Sequence, residues 1–123
     1  MAVTQVRLLS LPVTDQDRAK RFYVDTLGFD LVADNPMPGG RWVQVAPKGA
    51  DTSITLVTWF TTMPAGSVKG LVLETDDLDG DVATLTARGV PIEGDVQQAP
   101  WGRFVTFDDP DGNGIVLQAS AGG

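Results

Sequence analysis

Short runs of alternating apolar and polar residues, interrupted by two helix-like segments, extend along almost the whole chain. Val and Leu dominate residues 6–13, and apolar side chains then recur at helical spacing before Gly28. This pattern predicts a strand followed by a helix over about residues 15–27. Thr14, with an acidic residue three positions later, is the expected N-cap.

The remaining elements of the first half, and all those of the second, follow in the same order. Strands are predicted at 29–33, 41–46 and 53–58, with turns at Asn35-Pro36, 38–40 and 47–49. A connector near residues 59–67 carries Pro64 and Gly66. The second half is predicted to contain a strand at 68–75, a helix at 78–88, a weak strand at 91–96, and strands at 103–108 and 114–119.

Both halves are versions of one sequence. Leu11 and Leu73 lie 62 positions apart, as do the Gly-Arg pairs that begin at Gly40 and Gly102. Two copies indicate a duplicated supersecondary module rather than a solenoid, which needs at least three repeats. We therefore expect a single domain over residues 1–123, built from internal modules of about 1–60 and 67–123.

Strand alternation divides the predicted strand residues into two sets that face opposite sides of a sheet. The consistently apolar set should face the helices and comprises Leu9, Leu11, Val43, Val45, Ile54, Leu56, Leu71, Leu73, Val105, Phe107, Ile115 and Leu117. The opposite set should face a concave side and comprises Leu8, Ser10, Trp42, Gln44, Thr55, Val57, Gly70, Val72, Glu74, Phe104, Thr106, Val116 and Gln118. Such a lining is typical of a small-molecule pocket and equally of a barrel interior filled by its own side chains.

Composition excludes several kinds of function. The chain has 123 residues, 42% of them hydrophobic, with no cysteine, no histidine and a formal charge of −7. Thiolate chemistry, a disulfide framework and histidine-based catalysis are excluded, and the negative charge disfavours nucleic acid and anionic membranes. The first residues lack the features of a secretory signal, and no apolar run is long enough to span a bilayer, so we expect a cytoplasmic protein.

Three motifs together resemble the vicinal oxygen chelate superfamily, which includes glyoxalase I, extradiol dioxygenases, and fosfomycin and bleomycin resistance proteins. They are Phe22-Tyr23-Val24-Asp25-Thr26-Leu27-Gly28-Phe29 after the first strand, Gly89-Val90 after the second helix, and Asp109-Pro110-Asp111-Gly112-Asn113 before the last strand. The last motif is also a dense turn signal, which we interpret as a hairpin turn rather than a calcium loop. The resemblance implies an α+β fold in which two βαβββ modules form an incomplete, cupped β-barrel.

In metal-dependent members of that superfamily, the ligands come from the first and last strands of each module. The resemblance places these positions at Leu8, Thr55, Gly70 and Val116, which lack imidazole and carboxylate groups. A slip of one or two residues would instead bring in Ser10, Gln118 or Glu74, which is still a poor transition-metal site. We therefore expect no metal and no cofactor.

The favoured function is a metal-free protein of the bleomycin-resistance type that sequesters an aromatic or cationic small molecule. The resemblance implies a homodimer with grooves between its subunits. The candidate ligand-binding residues are Trp42, Gln44, Trp59, Trp101, Phe104, Thr106 and Gln118. Two alternatives stay open. The first is a metal-independent, glyoxalase-like enzyme that uses Glu74 for proton transfer, with Tyr23 as a weaker candidate because it should be packed. The second is a non-catalytic interaction module with a filled barrel.

Overall fold

The computed structural model describes residues 1–121 and contains two four-stranded sheets and two short helices. The elements of the first half are β1 (Leu8–Pro12), α1 (Gln16–Arg21), β2 (Asp30–Met37), β3 (Gly40–Ala46) and β4 (Ser53–Val57). Those of the second half are β5 (Leu71–Glu74), α2 (Leu78–Ala87), β6 (Glu93–Ala99), β7 (Gly102–Asp108) and β8 (Gly114–Ser120).

Both sheets have the same topology. The strand orders are β1-β4-β3-β2 and β5-β8-β7-β6, and in each sheet the first strand pairs parallel with the last while the other pairs are antiparallel. The predicted α+β fold of two βαβββ modules is therefore confirmed, and the sheets do not close into a barrel within the described part of the chain.

The first helix begins and ends differently from the prediction. Its N-cap is Asp15, not Thr14, because the Asp15 carboxylate accepts hydrogen bonds from the backbone N–H groups of Asp17 and Arg18. The α-helix ends at Arg21 and continues as a π-helical turn over Phe22–Thr26. The helical region thus covers residues 16–26, close to the predicted 15–27, and its last turn has the i→i+5 hydrogen bonding of a π-helix, as between the Leu27 N–H and the Phe22 carbonyl.

Two strand boundaries correct the predictions. Asn35-Pro36 was predicted as a turn, but both residues lie in β2, and the turn between β2 and β3 contains only residues 38 and 39. β2 is an edge strand of its sheet, and an N–H on the outer side of an edge strand makes no ladder bond, so a proline such as Pro36 is tolerated in such a strand. The first strand of the second half starts at Leu71, which leaves Gly70 outside it with a φ of +77°.

One hydrophobic cluster contains side chains from both halves, including Leu11, Tyr23, Val45, Phe107 and Ile115. The helix-facing set is buried or packed against this cluster, as predicted, with one exception. Leu9 is 51% exposed because it lies on the outer strand β1, beside a cleft between the halves.

A buried polar network joins the turn between β7 and β8 to the first half. The Tyr23 hydroxyl donates to Asp109 Oδ2 at 2.9 Å, and the Asn113 amide donates to the same oxygen and to the Pro12 carbonyl, each at 2.9 Å. Asp109 Oδ1 accepts the N–H groups of Asp111 and Asn113. Burial, and then the Asp109 charge, raises the pKa of Tyr23, so its hydroxyl stays protonated and donates.

The turn between β7 and β8 is therefore a hairpin turn that also makes hydrogen bonds to the first half. Asp111 Oδ1 accepts hydrogen bonds from the N–H and hydroxyl of Thr14 at 3.0 and 2.7 Å, and pairs with Arg18 at 2.9 Å. These bonds attach the start of α1 to the second half, and the Tyr23–Asp109 contact attaches the π-helical turn that follows α1.

Arg41 attaches α1 to its own sheet. Its guanidinium donates two hydrogen bonds to Asp34 on the neighbouring strand, both at 2.7 Å, and one to Asp17 on α1 at 2.6 Å. The hydrogen bonds from Arg41, and then those from Lys20, hold the pKa of Asp34 below its usual range. The Gln16 amide also bridges the Arg41 and Leu56 carbonyls.

The glycines at the starts of β3 and β7 are equivalent in the repeat but differ in their surroundings. A Cβ on Gly40 would lie 3.5 Å from the Met37 side chain and 3.7 Å from Trp59, which are ordinary contacts. Gly102 has a φ of +146°, and a Cβ there would collide with the backbone carbonyl of Ala119. Only the second of the two positions therefore requires glycine.

Candidate functional site

The face of each sheet that points away from the helices carries one large aromatic ring on its third strand. In the first sheet, Val43 and Val45 are fully buried on the helix side, so Trp42 and Gln44 lie on the opposite face and are half-buried. We call this the first concave face. The corresponding side of the second sheet, with Phe104 and Thr106, is the second concave face.

The polar groups of the first concave face are bonded to each other. Trp42 Nε1 donates to Gln44 Oε1 at 3.0 Å, and Gln44 Nε2 donates to Ser53 Oγ at 2.6 Å. Ser10 and Thr55 pair across β1 and β4, with their hydroxyl oxygens 3.4 Å apart. Ser53 was not among the predicted site residues, although its position two residues before Thr55 on one strand face was a usable signal.

Aromatic stacking organises the second concave face. The rings of Trp101 and Phe104 are stacked, with their centroids 5.0 Å apart and their planes at 27°. Trp101 is 47% exposed, so this pair presents an open aromatic surface. Gln118 lies beside it, because it pairs with Phe104 on one side and with Glu74 on the other.

Trp59 belongs to a different group. It lies in the loop after β4, with its ring 6.0 Å from that of Phe60, and it packs above Gly40 at the start of β3. The side chain of Met37 reaches the same place. The loop position of Trp59 was predicted, and its contribution to ligand binding stays a prediction.

Glu74 is held as an anion. Its carboxylate accepts hydrogen bonds from the Ser120 hydroxyl, from the Ser120 N–H at 3.0 Å, and from the Gln118 amide at 3.4 Å. The Ser120 bonds, and then that of Gln118, lower the pKa of Glu74, which makes it a weaker base. This environment favours a negatively charged contact over proton transfer at neutral pH.

Of the four positions expected to hold metal ligands, Thr55 and Val116 have equivalent places in the two sheets, whereas Leu8 lies in β1 and Gly70 lies outside β5. Thr55 pairs with Ser10 in the first sheet as Val116 pairs with Val72 in the second, which matches the register of the repeat. Thr55 is buried, and its hydroxyl lies 3.4 Å from the Leu9 carbonyl. Leu8, Gly70 and Val116 offer no side-chain donor, so these residue types do not fit a transition metal.

Acidic side chains do not supply an alternative metal site in the part of the chain that the structure describes. Within residues 1–121, no three carboxylates approach closely enough to hold an ion. Histidine and cysteine are absent from the sequence altogether.

The cavities between the two halves lie elsewhere than the predicted lining. One, of about 620 Å³, lies between the outer strands β1 and β5 and α2, with Leu9, Leu71 and Leu85 in its wall. The other, of about 760 Å³, lies between the π-helical turn and the residues after α2. Of the predicted site residues only Glu74 lines either, so the aromatic residues of the concave faces do not enclose these cavities.

The sequence did not indicate this cleft, because the cleft results from the way the halves pack. Leu9 and Leu71 are equivalent in the repeat and were both assigned to the helix-facing core. Their positions on the two outer strands place both beside the cleft, where Leu9 is exposed and Leu71 still packs partly against the core.

Sequence and structure comparisons agree with this architecture. Residues 5–117 match the Glyoxalase/Bleomycin resistance protein/Dioxygenase superfamily. The chain belongs to this superfamily. Among solved structures, the chain is similar to TnmS3, an antibiotic binding protein from Streptomyces sp. CB03234, with 58% identity and a TM-score of 0.94 over 98% of this chain and 99% of that one.

Other similar proteins are less identical but also cover most of the chain. A superfamily structure from Sphaerobacter thermophilus DSM 20745 is 38% identical, with a TM-score of 0.90 over 98% of this chain and all of the other. YetH of Bacillus subtilis (strain 168) is 38% identical over 120 residues, or 94% of this chain and 98% of YetH. In residues 1–121, no helix is both long and apolar enough to cross a membrane.

Proposed function

We propose that the protein binds and sequesters an aromatic small molecule of the antibiotic type, without a metal ion and without converting it. The observation that carries this proposal is the pair of concave faces, each with an aromatic ring held in a defined orientation beside neutral hydrogen-bonding groups. Flat rings with a few placed polar groups are the usual means of binding such ligands. The 58% identity to an antibiotic binding protein supports the same class of ligand.

A positive charge on the ligand would be favoured. The chain carries a formal charge of −7, which attracts cations over a distance. At short range, Glu74 is kept ionised beside Gln118 on the second concave face. We therefore propose an aromatic ligand with a cationic group.

A second copy of the chain completes the site in this proposal. Trp42 and Phe104 do not line either cavity between the halves, so their faces need another surface to enclose a ligand. The outer strands β1 and β5 each expose an apolar side chain, Leu9 at 51% and Val72 at 52%. A strand edge that has no neighbouring strand in its sheet and carries an exposed apolar residue is available for association. Sedimentation velocity should give a dimer, and a monomer at micromolar concentration would remove this part of the proposal.

Calorimetric titration tests the binding itself. Proflavine is a flat aromatic cation, 9-anthracenemethanol is flat and neutral, and spermidine is a non-aromatic cation. We expect the first to bind most tightly, the second more weakly, and spermidine weakest of the three. Failure of both aromatic probes to bind at millimolar concentration would contradict the proposal.

Two variants locate the site. Trp42→Leu and Phe104→Leu each remove an aromatic surface from a concave face and should weaken proflavine binding by about 5- to 150-fold, since stacking contributes roughly 1–3 kcal/mol per ring. Phe107→Leu is the matched control, because Phe107 lies on β7 like Phe104 but is buried on the helix side of the sheet. It should lower stability and leave the affinity unchanged.

Recovery of the ligand separates sequestration from catalysis. After prolonged incubation with excess protein, the probe should be recovered unchanged by chromatography, and dialysis against EDTA should leave the Kd unchanged. A converted product, or loss of binding after chelation, would favour an enzyme.

A further inference from the structure

The Trp42 ring is oriented by hydrogen bonds rather than by packing alone. Its indole N–H donates to Gln44 Oε1 at 3.0 Å, and Gln44 Nε2 donates to Ser53 Oγ at 2.6 Å. The Ser53 hydroxyl lies 3.5 Å from the carbonyl oxygen of Arg7, just before β1, so this row of hydrogen bonds ends on a backbone group. Both ends of the Gln44 amide are therefore occupied, and this fixes which way it points.

The second half lacks these bonds at every step. The residues equivalent to Trp42, Gln44 and Ser53 are Phe104, Thr106 and Gly114, at separations of 62, 62 and 61 positions. Phe has no N–H, Thr is too short to span two positions along a strand, and Gly has no hydroxyl. Phe104 is instead oriented by stacking on Trp101.

An amide at position 44 is not required by the core. Gln44 is half-buried on the concave face, while its neighbours Val43 and Val45 supply the fully buried packing. Aligning a half-buried amide between two fixed partners restricts several rotatable bonds. The restriction is useful where the orientation of the neighbouring ring matters.

We infer that Gln44 is a positioning residue of the ligand site, which fixes the plane of the Trp42 ring so that this face selects flat ligands over non-flat ones. The inference rests on the proposed function. Because the indole N–H already has an acceptor, the ring offers a ligand its face and not a hydrogen-bond donor. A ring ordered before binding avoids the cost of ordering it on binding, which corresponds to about 3- to 10-fold in Kd.

A single-tryptophan background isolates the effect. In Trp59→Phe/Trp101→Phe protein, all tryptophan emission comes from Trp42. Gln44→Met removes the acceptor at similar side-chain length, whereas Gln44→Glu keeps an oxygen for the indole N–H and can accept a bond from Ser53. Ser53→Ala breaks the far end only. Circular dichroism confirms that each variant is folded.

The probes are two aromatic cations of equal charge but different shape, flat proflavine and propeller-shaped crystal violet. We expect Gln44→Met to weaken the binding of proflavine about 3- to 10-fold and the binding of crystal violet by less than about twofold. The Trp42 emission anisotropy of the free protein should fall in the same variant. Gln44→Glu should restore most of the proflavine affinity and most of the anisotropy. Ser53→Ala should give values of both between those of the parent and those of Gln44→Met.

The outcomes distinguish two failures. If neither probe binds the wild type, the proposed function is wrong, and the role of Gln44 is wrong with it. If the wild type binds but Gln44→Met binds proflavine as tightly as its parent, or weakens both probes equally, then the inference alone is overturned.

Discussion

Replacing Tyr23 by Phe should lower stability by an amount that the network around its hydroxyl determines. The ring is fully buried against Phe22 and Phe29, and Phe preserves that packing. The change removes one hydrogen bond to Asp109 Oδ2, which keeps its second donor from Asn113. A hydrogen bond to a charged group contributes about 1.5–3 kcal/mol, and the remaining donor places the loss near the lower value.

The pH dependence of this loss identifies its cause. Burial, and then the charge of Asp109, raises the pKa of Tyr23 in the folded state above the value of about 10 in the unfolded chain. The stability that the neutral hydroxyl provides is therefore complete below pH 10 and declines above it, by about 1.4 kcal/mol per pH unit. Since Tyr23 is the only tyrosine in the chain, Tyr23→Phe lacks this decline.

Urea unfolding followed by far-UV circular dichroism measures both effects. At pH 7 we expect wild type to exceed Tyr23→Phe by about 1.5 kcal/mol, or roughly 5–8 °C in Tm for a chain of this length. Near pH 11 the two free energies should nearly coincide. Equal stability at pH 7, or a difference that stays constant to pH 11, would refute the assigned role of the hydroxyl.

Three further changes test other parts of the structure. Gly102→Ala should lower the free energy of unfolding by about 2–4 kcal/mol, because of the positive φ and the collision of the new Cβ with β8. The equivalent Gly40→Ala should change it by no more than about 0.5 kcal/mol, and similar losses in the two variants would contradict the geometry. Arg41→Lys should cost about 0.5–1 kcal/mol in urea unfolding, because ammonium cannot bond Asp34 at two points and reach Asp17 as well. Added Zn²⁺ should leave Tm unchanged in calorimetry, since an ion bound by the folded state would raise it.

Local patterns predicted the elements because strands and helices are formed by neighbouring residues. The alternation around Val43 and Val45, both fully buried, placed Trp42 and Gln44 correctly on the opposite face. The repeat also gave the correct register, which appears as the same parallel pairing of first and last strands in both sheets. Pro36 misled the prediction, because the penalty for proline disappears on an edge strand.

The candidate site was less predictable because its properties depend on distant residues. Glu74 was recognised as a carboxylate on the concave side, but its lowered pKa comes from Ser120, which is 46 positions away. The exposure of Leu9 depends on how the two halves pack. Neither the Glu74–Ser120 contact nor the exposure of Leu9 can be predicted from the residues adjacent to them in sequence.

The buried network has a consequence for synthesis on the ribosome. The Tyr23 hydroxyl and the Pro12 carbonyl emerge from the ribosome before their partners, because Asp109 lies 86 positions and Asn113 lies 101 positions later in the chain. These two groups of the first half therefore gain their partners only after the turn between β7 and β8 has been made. Although the two halves have equivalent topology, the first depends on the second for the partners of its buried polar groups.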